Sequence, residues 1–560
     1  MYKISKMKKI YLSVLALALG NLSFGQSFLE YTDYRGAFAP APTAAWTDSW
    51  TNWDPQTTTY PAATTTVSTS ITTDTYWSND QVYLIQGQIY VKNGATLTIQ
   101  EGTTILGDKN SVGAGLFITK GSKLNALGTA SKPIVFTSNQ SAGNRAAGDW
   151  GGIILLGKAT TNAPGGIGNI EGIAPTADTE FGGALTPDNN DNSGDIRYVR
   201  IEYAGYVYAP NKEINGLTFG AVGSKTSIHH IQVSFSNDDS FEWFGGTVNC
   251  KYLVAYRGLD DDFDTDNGYS GKVQFGLAVR DPQIADNPSI STSEGFESDN
   301  DASGSTATPQ TSAIFSNCTM VGPLRGNISS TVASGYRRGA RIRRNSGLKI
   351  YNTIFMDHLR GVHIDGLLAE QNAVNGTLKL KNNIFAGNST GLVCETSTVT
   401  TGVAPNQTTS PSAFTSIHTW FGTELNDSLV STADILTTPY NFTAPDYRPT
   451  ANSIALIHVN HDVAAIDAGL EEISLFENTM IYPNPTQGNA TLEISLVKDS
   501  KINVSLFDIS GKEIANVLNG NLSAGDNQLE LNTSSLSNGI YYTKISGENT
   551  VKTIKFIVSK

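Results

Sequence analysis

From residue 88 onward the apolar residues fall in runs of a few positions separated by Gly, Asn and Asp. Examples are Gln88-Ile-Tyr-Val91, Ala95-Thr-Leu-Thr-Ile99, Gly115-Leu-Phe-Ile-Thr119, Pro133-Ile-Val-Phe-Thr137 and Gly151-Gly-Ile-Ile-Leu-Leu156. Short alternating runs bounded by turn residues predict β-strands. No stretch after residue 25 sustains a helical period, so helix is expected to be nearly absent.

The strand pattern repeats. Asp238-Asp-Ser-Phe241-Glu242 aligns 22 residues later with Asp260-Asp-Asp-Phe263-Asp264, and Ile231 and Val233 then meet Leu253 and Ala255. A second pair lies 30 residues apart, Ile350-Tyr-Asn352-Thr-Ile354-Phe355 with Leu380-Lys-Asn382-Asn-Ile384-Phe385. Repeats of this length built only from strands and turns predict a solenoid, and a chain that coils onward stacks equivalent positions about 4.8 Å apart. The expected fold is all-β: a right-handed parallel β-helix over 77–470, its hand taken from the general crossover rule. Asn317, Asn352 and Asn382 follow apolar strands at similar points and would stack as an amide ladder. A β-propeller or a string of sandwiches is the competing architecture, though propeller blades need longer repeats.

The segments around this core differ in texture. Residues 1–25 combine Lys3, Lys6, Lys8 and Lys9, an apolar run from Ile10 to Leu19 and a small-residue exit at Ser23-Phe-Gly25, the pattern of a cleavable secretory signal. Residues 26–76 are rich in Thr, Trp and Pro and read as an irregular leader and cap. No later segment is apolar for long enough to cross a membrane, so no transmembrane segment is expected in the mature protein. Cys250, Cys318 and Cys394 are too far apart for a zinc ligand pair and sit in apolar runs, so buried, inert thiols are expected.

After a linker at 471–477 comes a module of about 80 residues with short alternating strands and Gly/Asn turns, which predicts a small Ig-like β-sandwich. Its Ile481-Tyr-Pro-Asn-Pro485 opening, Leu506-Phe-Asp-Ile-Ser-Gly-Lys512 core, Ser537-Asn-Gly-Ile-Tyr-Tyr542 and basic end at Lys560 resemble the type A C-terminal sorting domain of type IX secretion cargo in Bacteroidetes. The resemblance spans 478–560. It implies export through Sec, passage across the outer membrane by the type IX machinery, and a destination outside the cell or on its outer surface. The solenoid resembles secreted β-helix proteins of the same phylum that share Ser193-Gly-Asp-Ile-Arg-Tyr-Val-Arg-Ile-Glu-Tyr-Ala-Gly205 and the Asp-Asp-x-Phe signatures. It is similar to pectate-lyase-like folds in architecture alone, and fold does not carry activity.

Charge changes the picture next. The chain of 560 residues has net charge −13, which repels a phosphate backbone, and nucleic acid is not an expected partner. Residues 186–301 hold 19 acids and 8 bases, whereas 302–356 hold no acid and seven bases: Arg325, Arg337, Arg338, Arg341, Arg343, Arg344 and Lys349. In the repeat register Asp238 and Asp239 stack under Asp260 and Asp261, Glu242 under Asp264, and Glu297 above Asp264. Like charges one coil apart repel by about 1 to 3 kcal/mol per pair. Three offsets are open: bound Ca²⁺, pairing with the Arg block, or protonation with raised pKa.

Asp262, Asp264 and Asp266 place oxygens at alternate positions before Gly268, a spacing suited to Ca²⁺, though Asn267 and Val273 depart from the EF-hand pattern. The candidate metal ligands are therefore Asp238, Asp239, Glu242, Asp260, Asp261, Asp262, Asp264, Asp266, Glu297 and Asp299. Asp188-Asn-Asn-Asp-Asn192 is a weaker oxygen-rich turn, and His458-Val-Asn-His461-Asp462 has metal-like spacing without a third ligand.

Three functions fit these residues. The first is a calcium-stabilised protein that binds a polysaccharide or cell surface, with Trp243, Tyr256 and Tyr269 as candidate sugar-contacting rings beside the acids. Core stacking between coils is the favoured alternative for each of these rings. The second is a polysaccharide lyase, with Ca²⁺ on Asp261 and Asp264 and Arg341 or Arg343 as base, or a glycoside hydrolase using Asp239 and Asp261. No catalytic motif marks either, and the balance falls on a binder rather than an enzyme. The third is a structural adhesin in which metal only rigidifies the rod.

Overall fold

The computed structural model describes residues 27–209, 212–289, 291–327, 329–388, 393–396, 417–457, 476–496, 498–508, 512–547 and 550–560. The signal, the linker and the His458–Asp462 cluster fall outside these residues, apart from 476–477. The chain divides into two compact units, one of Phe28–Ala464 and one that takes in Ala465–Lys560.

The first unit is a parallel β-helix. Its ten-stranded sheet adds one strand per coil in chain order: Gln88–Val91, Gly115–Ile118, Gly152–Leu156, Leu217–Gly220, Phe241–Phe244, Phe263–Asp266, Phe296–Ser298, Arg338–Arg343, Arg360–Asp365 and Cys394–Thr396. An 18-stranded sheet forms the remaining walls, and every described pairing within these two sheets is parallel. The register is the one read from the repeats: Phe241 faces Phe263, Phe263 faces Phe296, Ile231 faces Leu253, and Phe355 faces Phe385. Pairing begins at Thr65–Val67 with Val82–Ile85, so the first coil starts inside the segment assigned to the leader.

Alternation along each strand sends every second side chain inward. Phe241, Phe263 and Phe296 stack through the core with ring centroids 5.7 and 5.3 Å apart. Cys250, Cys318 and Cys394 are buried in the same core with no disulfide. Two short helices, Leu367–Val374 and Ile417–Thr423, are the α-helices of the described residues.

Seven successive coils of the larger sheet bend at an equivalent residue with positive φ. Tyr198, His230, Tyr252, Phe275, Asn317, Asn352 and Asn382 occupy this corner in successive coils, with φ between 49° and 63°. Asn tolerates this region and bulky residues do not. The aromatic half of the column stacks at 4.4, 4.4 and 5.0 Å, which offsets the backbone cost, while Asn382 donates to Asn352 across 2.7 Å. Of the expected amide ladder the Asn382–Asn352 rung forms, whereas Asn317 donates its amide to Thr32 and to the Tyr34 carbonyl of the leader; all three belong to a longer corner column.

The leader does not cap an end. Residues 30–60 lie along the side of the solenoid as a strap that first meets the coil of Gln274 and then, from Arg35 to Tyr60, meets the coils in reverse order. Arg35 pairs with Asp427 at 2.6 Å, Ala37 N–H donates to Thr319, Glu30 and Gln274 exchange two amide bonds of 2.8 Å, Asn52 does the same with Gln232, and Tyr60 donates to Glu202. Trp46 and Trp50 cover the aromatic corner column.

The C-terminal unit is a β-sandwich. A three-stranded antiparallel sheet (Phe476–Tyr482, Asn489–Leu496, Gly525–Asn532) and a four-stranded one (Glu513–Leu522, Ser500–Asp508, Gly539–Gly547, Thr550–Val558) enclose Leu492, Ile494, Ile502, Val504, Ile545 and Phe556.

Because the Phe stack sets the coil register, replacing Phe263 with Ala is expected to cost about 3–5 kcal/mol, read as a lower urea midpoint by circular dichroism.

Candidate functional site

The acids of the repeat sit at three positions relative to the stacked phenylalanines. Two residues before each Phe stands a carboxylate that ties its coil to the next. Asp239 accepts from the Asp261 N–H at 2.9 Å, Asp261 accepts from the Glu294 N–H at 2.5 Å, and Glu294 accepts from the Arg338 N–H at 2.7 Å. One residue after each Phe, and again three after, the side chains point outward. They form two columns, Glu242–Asp264–Glu297–Arg341–His363 and Phe244–Asp266–Asp299–Arg343–Asp365.

These columns line a cleft of about 460 Å³ that contains eleven carboxylates. The Arg block closes one end: Arg343 binds Glu297 and, at 2.8 Å, Asp299; Arg344 reaches Asp299 at 2.7 Å; Arg341 pairs with Asp365 at 2.7 Å and lies 3.7 Å from Glu297. Glu297 and Asp299, outweighing burial, hold Arg343 above its ordinary pKa, and both carboxylates pair with it.

The other nine carboxylates (Glu171, Glu213, Asp238, Asp239, Glu242, Asp260, Asp264, Asp266 and Asp286) have no Lys or Arg within 4.0 Å among the described residues. Five of them fall into groups whose oxygens lie within 4.8 Å of one another, Asp238, Asp239 and Asp260, and Asp239, Glu242 and Asp264; a third such group joins Asp264 to Asp261 and the Arg-paired Glu297. Asp239 and Asp264 are each shared by two groups. Oδ1 of Asp260 and Oδ1 of Asp264 are buried without a hydrogen-bond partner, while Asn215 donates to Glu242. Burial first, and the neighbouring acids second, push Asp239, Glu242, Asp260, Asp261 and Asp264 well above the ordinary carboxylate range and bring Asp238 and Asp266 to about 7.

Four expectations are corrected. Asp262 does not face the cleft: its fully buried carboxylate receives Nε of Arg280 at 2.8 Å, and Arg280 also donates to the main-chain oxygens of Gly258, Asp260 and Glu294. The strand begins only at Phe263, so the alternation that sends Asp264 and Asp266 outward does not extend to Asp262. Trp243 and Tyr269 stack on each other at 5.4 Å inside the core, and Tyr256 lies under the strap with its hydroxyl on the carbonyls of Trp53 and Phe442, so none of the three rings is available to a sugar. Asp239 and Asp261 spend a carboxylate oxygen each on a neighbouring coil's N–H, which ties the proposed hydrolase pair to the backbone. Asp188–Asn192 contributes nothing to the cleft.

Glu171, Glu213 and Asp286 went unrecognised in the sequence because they belong to insertions between coils and follow no repeat. Glu294 holds the stitching position in its coil, but Glu replaces Asp and Gly follows it, which hides the match.

A family model described as a pectate-lyase like β-helix domain matches residues 69–427, and one described as a secretion system C-terminal sorting domain matches residues 480–559. The chain belongs to the pectate-lyase-like β-helix family. It is type IX secretion cargo, delivered by its sorting domain to the cell surface or the extracellular space. No curated protein matches the chain. No helix among the described residues is long and apolar enough to cross a membrane.

The raised carboxyls set a pH dependence. A group that binds its proton more tightly folded than unfolded contributes stability that is complete at low pH and lost as pH rises through its folded pKa. In chelator, the melting temperature is therefore expected to fall between about pH 5 and about pH 8, with Asp238 and Asp266 losing their protons near 7. Differential scanning calorimetry across that range checks the sign.

Proposed function

We propose that the acidic cleft takes up divalent cations, Ca²⁺ above all, and that the secreted solenoid uses them to bind a polysaccharide or cell-surface glycan. The reading rests on the nine carboxylates without a basic partner and on the two overlapping ion-sized groups that Asp238, Asp239, Glu242, Asp260 and Asp264 form among them. Oxygen-only donors, carboxylates foremost, suit a hard cation that takes six to eight ligands at about 2.3–2.6 Å. A cation would replace the protons that burial and repulsion retain, and its open coordination positions would accept sugar hydroxyls or an acidic sugar's carboxylate. The cleft offers little stacking surface beyond Phe244, so affinity would come from the ions.

Two substitutions separate cation binding from scaffold effects. Asp264→Asn should raise the melting temperature in chelator by relieving repulsion, and should abolish most of the stabilisation by Ca²⁺. Asp262→Asn should destabilise by about 3–5 kcal/mol with or without Ca²⁺, because it leaves Arg280 buried without its partner.

The functional test is Ca²⁺-dependent retention of the full secreted chain on pectin, alginate and chitin, run with an absorbance assay for unsaturated sugar products. Retention with Ca²⁺ that is lost in EDTA supports the reading. Product release would reassign the protein as an enzyme, and stabilisation by Ca²⁺ with no retention on any glycan would reduce the cleft to a structural role.

A further inference from the structure

A second cleft, of about 540 Å³, lies near the C-terminal end of the solenoid between the turn after Val321 and the hairpin formed by Leu436–Thr438 and Asp446–Pro449. Its one cationic residue is Arg325, half-buried, with the guanidinium carbon 4.0 Å from the centre of the Phe442 ring. The same ring also carries Arg257, at 4.5 Å, which has its own carboxylate in Asp281. Arg325 has none: no acid among the described residues lies within 4.0 Å of it, and its guanidinium donates no hydrogen bond to them. A half-desolvated cation held only by a ring face retains most of its donors for another acceptor.

The rest of the lining supplies donors of the same kind. The Ser431 hydroxyl accepts from the Ala433 N–H and keeps its proton. Asn441 uses its side-chain oxygen on Thr443 and Ala444 and its amide hydrogens have no acceptor among the described residues, and Thr438 has no hydrogen bond from its hydroxyl. The buried carboxylate of Asp357, behind the lining residues Tyr440 and Thr432, accepts from their hydroxyls and forms no ion pair with Arg325. Asp434 is exposed at the rim. A guanidinium, two hydroxyls and an amide, all with unspent protons, make a receptor for an oxyanion.

We propose that this cleft binds an oxyanion, a carboxylate or sulfate group carried on a saccharide, with Arg325 as its principal contact. Arg325 supplies a planar fork that matches either group, and the hydroxyl and amide donors beside it suit the ring oxygens that flank such a group on a sugar. This site uses no metal and no residue of the acidic cleft, so it stands or falls separately from the reading above.

The test is isothermal titration calorimetry of the full secreted chain in EDTA with glucuronate, glucose 6-sulfate, glucose and inorganic sulfate. Saturable binding of glucuronate or glucose 6-sulfate is expected, with no signal from glucose. Arg325→Gln should weaken it by about tenfold or more, the loss of one charge-assisted contact. Thr438→Asp, an exposed substitution that places a negative charge at the mouth, should weaken it too and keeps the test open if the Arg325 variant does not fold. Absence of binding by both charged sugars, or unchanged affinity in a folded Arg325→Gln variant, would overturn the proposal, and saturable binding of inorganic sulfate alone would overturn its saccharide part.

Discussion

Coil-to-coil register is the constraint on which the rest of this molecule depends. Parallel strands about 4.8 Å apart repeat every side-chain direction from one coil to the next, so a residue's neighbours are its equivalents one turn away. The stacked Phe241, Phe263 and Phe296 lock that register from inside. A slip by one residue would exchange the core and outward columns together, placing carboxylates in the core and rings in solvent. Apolar stacking and the carboxylate columns are thus two sides of one alignment.

Electrostatics follow from it. A β-helix multiplies any charge that recurs at one position of its repeat, and here it multiplies acids. The structure disposes of them in distinct ways. At the position before the strand's last turn residue, Asp239, Asp261 and Glu294 become backbone acceptors that join coils. At one end of the outward columns the following coil supplies Arg341 and Arg343, and the segregation of acids from bases in the sequence becomes a set of ion pairs. What remains is the stretch from Asp238 to Asp266, joined by Glu171, Glu213 and Asp286; within that stretch burial and mutual repulsion raise the pKa of Asp238, Asp239, Glu242, Asp260, Asp264 and Asp266. Charge concentrated without a protein partner is the feature most suited to an external one.

The strap and the corner column are a second linked pair. Tyr198, His230, Tyr252 and Phe275 adopt a backbone conformation unfavourable for bulky residues, and they are stabilised by stacking on each other and by Trp46 and Trp50. Gln232 and Gln274, buried two coils apart, fasten the strap with paired amide bonds. An irregular Trp-rich segment thereby completes the side of the solenoid rather than its end.

What the amino-acid order alone determined was whatever repeats. The spacing of Asp-Asp-x-Phe and of Asn-x-Ile-Phe disclosed the coil, the inward rings and the vertical pairing of Glu242, Asp264 and Glu297, because a solenoid converts sequence period directly into contact. The C-terminal motifs likewise disclosed the sorting domain. Only tertiary structure decided what breaks the period. Asp262 sits one residue before its strand and turns to Arg280, the insertions bring Glu171, Glu213 and Asp286 into the cleft, the strap reverses along coils far from it in sequence, and Trp243, Tyr256 and Tyr269 go inside. Each of these depends on contacts between segments with no common repeat, and such contacts leave no trace in the spacing of residues.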